Sequence, residues 1–490
     1  MNLVLALESR AERTPAAIAG EGVDERWTCA TLAGRARRGA GYLLAGAAGD
    51  GPIALLMPGD GRFVAWFHAV AYTGRPVLPL NARLTTGEIA QQLGAAGVQL
   101  LLGVAGDARL AALRSRVPGL VATAVPELDT LPLPGSRLPG EDATSDATLA
   151  VLFTSGTSGR SKGACLSWGN FEASADASLE RLGPAVGRRW LSCMPLFHVG
   201  GLSILVRSVM YGGPVRVLPL FDAAAVSDAL DSGDIAGVSL VPTMLSRLLA
   251  HRAGRPAPAG LDVLLLGGAA APRELLARAH QAGYPVCATY GLTEATSQVA
   301  TARPWRAGVA DRPPMLPLQG TEVRIVLDGR DVPAGVPGEI MVRGPTVMKG
   351  YFDDPAATAR VIRDGWLHTG DIGFLDQAGG LHVLDRRDDL VVSGGENVYP
   401  VEVEAVLLEH PSVAEAAVAG VPDPDLGARV VAWIVVKNGA ATDARVLSVH
   451  CSARLAGYKR PREFRFVSDL PRNATGKLQR RLLTEPARNS

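Results

Sequence analysis

At 490 residues the chain is too long for one compact core, so a large layered domain and a smaller one are expected. A hydrophobic content of 47%, 20% charged residues and a net charge of +1 fit a globular enzyme and, with no basic stripe, exclude nucleic acid as the partner. No apolar run reaches the ~18 residues of a membrane span, Glu8 comes too early for a secretory signal, and the five cysteines (29, 165, 193, 287 and 451) form no Cys-x-x-Cys pair, so a cytoplasmic protein without a disulfide framework or zinc site is expected.

Over residues 1–120, helical spacing at 32–44, a buried strand at 53–57 and an apolar helix at 63–72 predict βα alternation and a largely parallel sheet. Residues 118–139 carry five prolines and read as a surface excursion. An apolar strand over 149–153 then stops at residues 154–163, which are nearly all Gly, Ser, Thr or basic. Glycines let backbone N–H groups converge on an anion, hydroxyls add donors, and Lys162 adds a point charge, so this loop suits phosphate. It is not a Walker loop, because Ser161 precedes Lys162 and Gly163 follows it. A flexible linker has the same composition; the buried strand leading into the loop argues for a site. Strands over 237–241, 263–266 and 286–289 each run into a Gly- or Pro-rich turn, where open α/β sheets place ligands. From about 320 the pattern changes to hairpins (322–327, 339–342, 382–384). A helix over 401–408, strands over 416–419 and 430–436, a helix over 444–454 and a basic tail read as a separate α+β unit. The predicted class is α/β: an N-terminal domain of stacked, mostly parallel sheets with helices and a β-hairpin subdomain (1–386), and a small α+β C-terminal domain (387–490).

Lysine usage narrows the candidates. Of 49 basic residues only Lys162, Lys349, Lys437, Lys459 and Lys477 are lysine. A lysine kept in an arginine-biased chain points to a need for a compact, flexible ammonium. Four of the five lie beside Gly or Tyr; Lys437, in Val-Lys-Asn-Gly, reads as a turn residue.

Six motifs in order resemble the adenylate-forming superfamily of acyl-CoA synthetases, peptide-synthetase adenylation domains and luciferases. They are Thr154-Ser-Gly-Thr-Ser-Gly-Arg-Ser-Lys-Gly163, Tyr290-Gly-Leu-Thr-Glu-Ala295, Gly365-Trp-Leu-His-Thr-Gly-Asp371, Asp385-Arg-Arg-Asp388, Gly394-Gly-Glu-Asn-Val-Tyr-Pro400 and Asn473-Ala-Thr-Gly-Lys477. The resemblance covers essentially the whole chain. It implies attack of a carboxylate on the α-phosphate of ATP, then displacement of AMP from the acyl-adenylate by the thiol of CoA. The substrate brings its own nucleophile, so the protein must supply charge and positioning.

By this resemblance the phosphates would be cradled by Thr154, Ser155, Gly156, Thr157, Ser158 and Lys162, and Mg²⁺ held by Glu294 beside the hydroxyl of Thr157 or Thr293. Gly267, Gly268 and Ala269 would wall adenine opposite Tyr290, with Thr289 and Gly291 alongside. Asp371 would take the ribose hydroxyls, Arg386 ribose or phosphate, and Lys477 the reacting carboxylate and α-phosphate. Catalysis is thus expected of Lys477, Glu294 and Thr157. Asp388 stands at the hinge of a mobile C-terminal domain that later presents Gly394, Gly395 and Glu396 to the thiol. Ser158 and Ser161 depart from the family's usual Thr and Pro.

For the acid, residues 191–212 (containing Pro195-Leu-Phe-His198 and Arg207) and the run Thr293-Glu-Ala-Thr-Ser-Gln-Val299 resemble the o-succinylbenzoate–CoA ligases of menaquinone biosynthesis. Such a diacid needs a fixed cation for its spectator carboxylate. Arg207 is the candidate, with His198, Gly268 and Leu292 lining the acyl site; a helix-face ion pair is the alternative for Arg207. The loop 308–317 departs from that subgroup, which keeps aryl- or fatty-acyl-CoA ligation open, as well as loading of a free carrier protein. The expected partners are a small carboxylic acid, ATP with Mg²⁺, and CoA. No membrane span is expected, and a homodimer stays open.

Overall fold

The structure is a computed structural model; it describes the chain except residues 1, 24, 47–48, 156–160, 184–186, 269–270, 272, 307, 310, 386–390, 399, 472–479 and 485–490. Two large sheets form its body. The seven-stranded sheet has a parallel centre in which Ile53–Leu56 pairs with Val77–Pro79 on one side and Leu100–Gly103 on the other. The nine-stranded sheet is parallel through Val215–Val217, Trp190–Ser192, Gly237–Leu240, Val263–Leu266 and Val286–Tyr290. Strands this apolar cannot face water on either side, which is why both sheets are covered by helices.

The helix Gly61–Tyr72 sits in the core shared by the two sheets and is buried at every residue but Arg62. Its start is fixed locally: the Asp60 side chain accepts from the N–H groups of Arg62 and Phe63. Thr85 and Glu88 form a reciprocal cap at the head of Thr86–Ala95. Hairpins build a third sheet, from Glu322–Leu327, Gly338–Arg343, Trp366–Leu375 and Leu381–Asp385. A fourth sheet (Val391–Ser393, Glu396–Val398, Val413–Asp423, Gly427–Val436, Glu463–Phe466) carries the helices Pro400–Leu408 and Ala444–Ser452 and has its own core.

Two expectations change. The loop 154–163 is shorter than its composition suggested: Ser161–Ser167 is a strand paired antiparallel with Thr148–Ser155, with Thr154 opposite Lys162. Pairing satisfies backbone groups that an open loop would have to expose. The stretch 118–139 is not only a surface excursion. Val121–Ala124 adds a parallel edge strand beside Leu100–Gly103, and Leu128 and Leu138 are buried in the main core. Among the described residues no helix is long and apolar enough to cross a membrane.

Candidate active site

The hairpin ending at Thr154 and Ser155 faces the turn that follows the strand Val286–Tyr290. That turn, Thr293–Ala295, carries Glu294. Its Oε1 accepts from the hydroxyls of Thr154 (3.3 Å) and Tyr351 (3.0 Å), which aim the carboxylate along the hairpin. Lys162 lies on the same hairpin, its ammonium 5.2 Å from the centre of the Tyr351 ring. Tyr351 was not predicted; its place in Lys349-Gly-Tyr351 was the only sequence signal. Gly156, Thr157 and Ser158 lie outside the described residues.

On the nucleoside side, Tyr290 donates its phenol O–H to Asp371 Oδ2 at 2.6 Å, both residues being buried. The expected stacking role of Tyr290 concerns its ring; its hydroxyl is a tether that orients the carboxylate expected to hold ribose. Gly291 is required by a close approach, since a Cβ there would run into the Ser297 carbonyl. Thr289 Oγ1 is bonded to Thr301 Oγ1 (2.7 Å), so it supplies a wall rather than a free donor. Ala269 and Arg386 lie outside the described residues.

One cavity collects the acyl candidates. Arg207 and His198 meet Gly268, Leu292, Ser297 and Gln298 there. Arg207 comes from the helix Val199–Tyr211 and is 8% exposed. The helix-face ion pair does not form: the one hydrogen bond drawn from it among the described residues is Nη2 to Ser174 Oγ at 3.5 Å, and Nε has no partner. Burial pushes the guanidinium pKa down. A buried charge this poorly compensated is costly and calls for an anion. Thr296 (φ 50°) and Ser297 (φ 86°) hold left-handed backbone, a strain that gathers at binding sites.

The small domain closes this cavity. Gly395 lines it with φ 84°, a conformation L side chains rarely adopt, and a Cβ there would lie 3.3 Å from Val241 Cγ2. Glu396 is 3% exposed and is paired with Arg83 and with His198 Nε2 (3.4 Å). Arg83 was missed, and nothing in its local sequence marks it. Lys477 and Asp388 lie outside the described residues.

Comparison with known proteins places this architecture. The AMP-binding enzyme model matches residues 7–352, and the AMP-binding enzyme C-terminal domain matches 402–477. The chain belongs to the AMP-binding enzyme family. Within that family it is 42% identical to the 2-succinylbenzoate–CoA ligase of Geobacillus kaustophilus, over 88% of this chain and 87% of that one. Among solved structures, it shares 37% identity with a double mutant of the o-succinylbenzoate CoA synthetase of Bacillus subtilis bound to the product analogue OSB-NCoA, with a TM-score of 0.89 over 98% of this chain and 97% of the other. For the same enzyme with the acyl-adenylate OSB-AMP, identity is again 37% and coverage 98% of each, yet the TM-score is 0.73. The amide bond synthetase McbA from Marinactinospora thermotolerans matches with a TM-score of 0.86 at 31% identity, over 99% of both chains.

Proposed function

We propose that this family member is an AMP-forming acid–CoA ligase whose acid is o-succinylbenzoate, joined to CoA through an acyl-adenylate. The observation that carries the choice of acid is Arg207, a buried guanidinium without a carboxylate partner among the described residues, facing the cavity. A diacid can place one carboxylate there while the other meets ATP. The aromatic ring of the substrate suits the intervening wall of Gly268 and Leu292.

In adenylation, Lys162 offsets phosphate charge with Thr154 and Ser155 beside it on the same hairpin, and Asp371, fixed by Tyr290, accepts from ribose. Among the described residues no cluster of three or more His, Cys, Asp or Glu could cage a metal. Glu294, whose Oε1 is held by Thr154 and Tyr351, suits Mg²⁺, which binds through few carboxylates plus phosphate and water. Bound there, Mg²⁺ would neutralise phosphate charge. Lys477 is assigned to the reacting carboxylate and α-phosphate, with Thr157 beside Glu294. The domain boundary is placed at 386/387 and the hinge at Asp388. Gly394, Gly395 and Glu396 then serve the thiol step, and the cytoplasm, where ATP and CoA are available, is the proposed location.

Pyrophosphate release across a panel of carboxylic acids, followed by product analysis with CoA, tests the assignment. o-Succinylbenzoate should give AMP, pyrophosphate and the CoA thioester; ADP and phosphate, or preference for benzoate or a fatty acid, would overturn it. The likeness to an amide bond synthetase raises a second reading, capture of the adenylate by an amine. Supplying amines in place of CoA in the same assay separates the two.

A further inference from the structure

Lys459 occupies the turn Gly457–Lys459 of the small domain and is 6% exposed. Its ammonium bonds Glu402 Oε1 at 2.7 Å, on the helix Pro400–Leu408 of the same domain, and Glu88 Oε1 at 2.9 Å, on the large domain's helix Thr86–Ala95. Glu88 is held in place without the small domain, because its Oε2 accepts from the N–H (2.8 Å) and the hydroxyl (2.9 Å) of Thr85. The neighbours of Lys459 repeat the cross-domain pattern. Asn81 Nδ2 donates to the Tyr458 hydroxyl at 3.3 Å, Arg83 lies 4.9 Å over the Tyr458 ring, and Ala456 is buried with Leu84, Ile89 and Leu113. Arg83 also pairs with Glu396. One segment of the large domain, 81–88, thus receives the turn of the small domain that carries Lys459 and the loop that carries Glu396.

A buried ion pair adds little net stability against its desolvation, yet losing one partner leaves an unpaired buried charge. Such a pair selects one arrangement over near alternatives. It also opens at modest cost if both sides reach water when the domains part, and a compact ammonium can sit between two carboxylates more readily than a planar guanidinium. We propose that Lys459, seated between Glu402 and Glu88, is a positioning residue that latches the small domain where Gly395 closes the acyl cavity and Glu396 meets His198. It thereby serves thioester formation and not adenylation. This rests on the two-step ligase reading above.

The test measures both half-reactions, acyl-adenylate formation from acid and ATP and thioester formation from isolated acyl-adenylate and CoA, in Lys459→Met, Glu88→Gln and the double variant. Gln still satisfies the Thr85 cap. Lys459→Met, which strands two buried carboxylates, should slow thioester formation ~100-fold or more; Glu88→Gln, after which Lys459 keeps Glu402, should slow it less, by about 10-fold. Adenylation should stay within about twofold, and the double variant should be no worse than Lys459→Met, as for residues that act as one unit. Spin labels at Ala224→Cys and Ser452→Cys should report a broadened interdomain distance in both single variants. If Glu88→Gln is indistinguishable from the parent while Lys459→Met slows both half-reactions, the lysine serves only the small domain's fold and the latch is overturned. If the parent adenylates no acid, the ligase reading fails separately. The latch is then judged by the label distance, and unchanged distances in both variants overturn it.

Discussion

On the proposed reading, Arg207 takes the spectator carboxylate of the diacid in the acyl cavity. Replacing it with Ala leaves the spectator carboxylate of a diacid buried and unpaired, a loss of about 3–5 kcal/mol. KM for o-succinylbenzoate should therefore rise by two orders of magnitude or more, while any slow turnover of benzoate changes little. Lys at this position should rescue in part, since it restores charge without the bidentate fork. Equal loss on both acids would return Arg207 to a structural role. The cysteines behave in the opposite way. Burial pushes Cys165 and Cys451 up to about 11 and Cys193 and Cys287 up to about 12, and also raises Cys29. With so little thiolate near neutrality, alkylation of native protein by iodoacetamide at pH 8 should lag far behind that of unfolded chain. Rapid labelling of one thiol would show that its burial opens in solution.

At the scale of elements, the helix Gly61–Tyr72 carries an unusual load. His68 is 1% exposed, Nδ1 has no partner among the described residues, and burial lowers its pKa to about 3. The folded value lies below the ordinary 6.5, so the neutral ring's contribution is complete above pH 6.5 and is lost as pH falls towards 3, at about 1.4 kcal/mol per unit. His68→Leu should flatten the acid side of a Tm-against-pH profile; an unchanged slope would locate the acid sensitivity elsewhere. The loop of Gly394 and Gly395 is the second element with a clear consequence. A bulky residue at Gly395, where φ is positive and Val241 is close, should block the thiol step while acyl-adenylate still forms. If adenylation falls equally, this loop is not confined to the second half-reaction.

At the scale of the whole molecule, the small domain sets Gly395 at the acyl cavity and Glu396 against His198, an arrangement that suits the thiol step proposed for them. Lys477→Ala should then abolish acyl-adenylate formation but largely spare conversion of supplied acyl-adenylate to thioester. Loss of a charge-assisted contact in the transition state is worth about 3–4 kcal/mol, or ~10²–10³ in rate. Parallel loss of both steps would contradict alternation of the small domain.

Sequence alone determined what is local or carried by short motifs. Apolar periodicity placed the strands Ile53–Leu56 and Val263–Leu266 and the helix Gly61–Tyr72 within a few residues, because burial on both faces leaves a continuous apolar run. The two motifs that carry Glu294 (290–295) and Asp371 (365–371) were legible as strings because the residues within each are neighbours along the chain. Pairing across distance was not. The strand Ser161–Ser167 was hidden in Gly/Ser composition, since a ladder is set by the partner strand rather than by propensity. The Tyr290–Asp371 tether, the isolation of Arg207, and the meeting of Arg83 with Glu396 and of Lys459 with Glu88 join residues that no local pattern connects. Whether a charge is paired depends on what the fold brings within ~4 Å of it, and only the tertiary structure decided that.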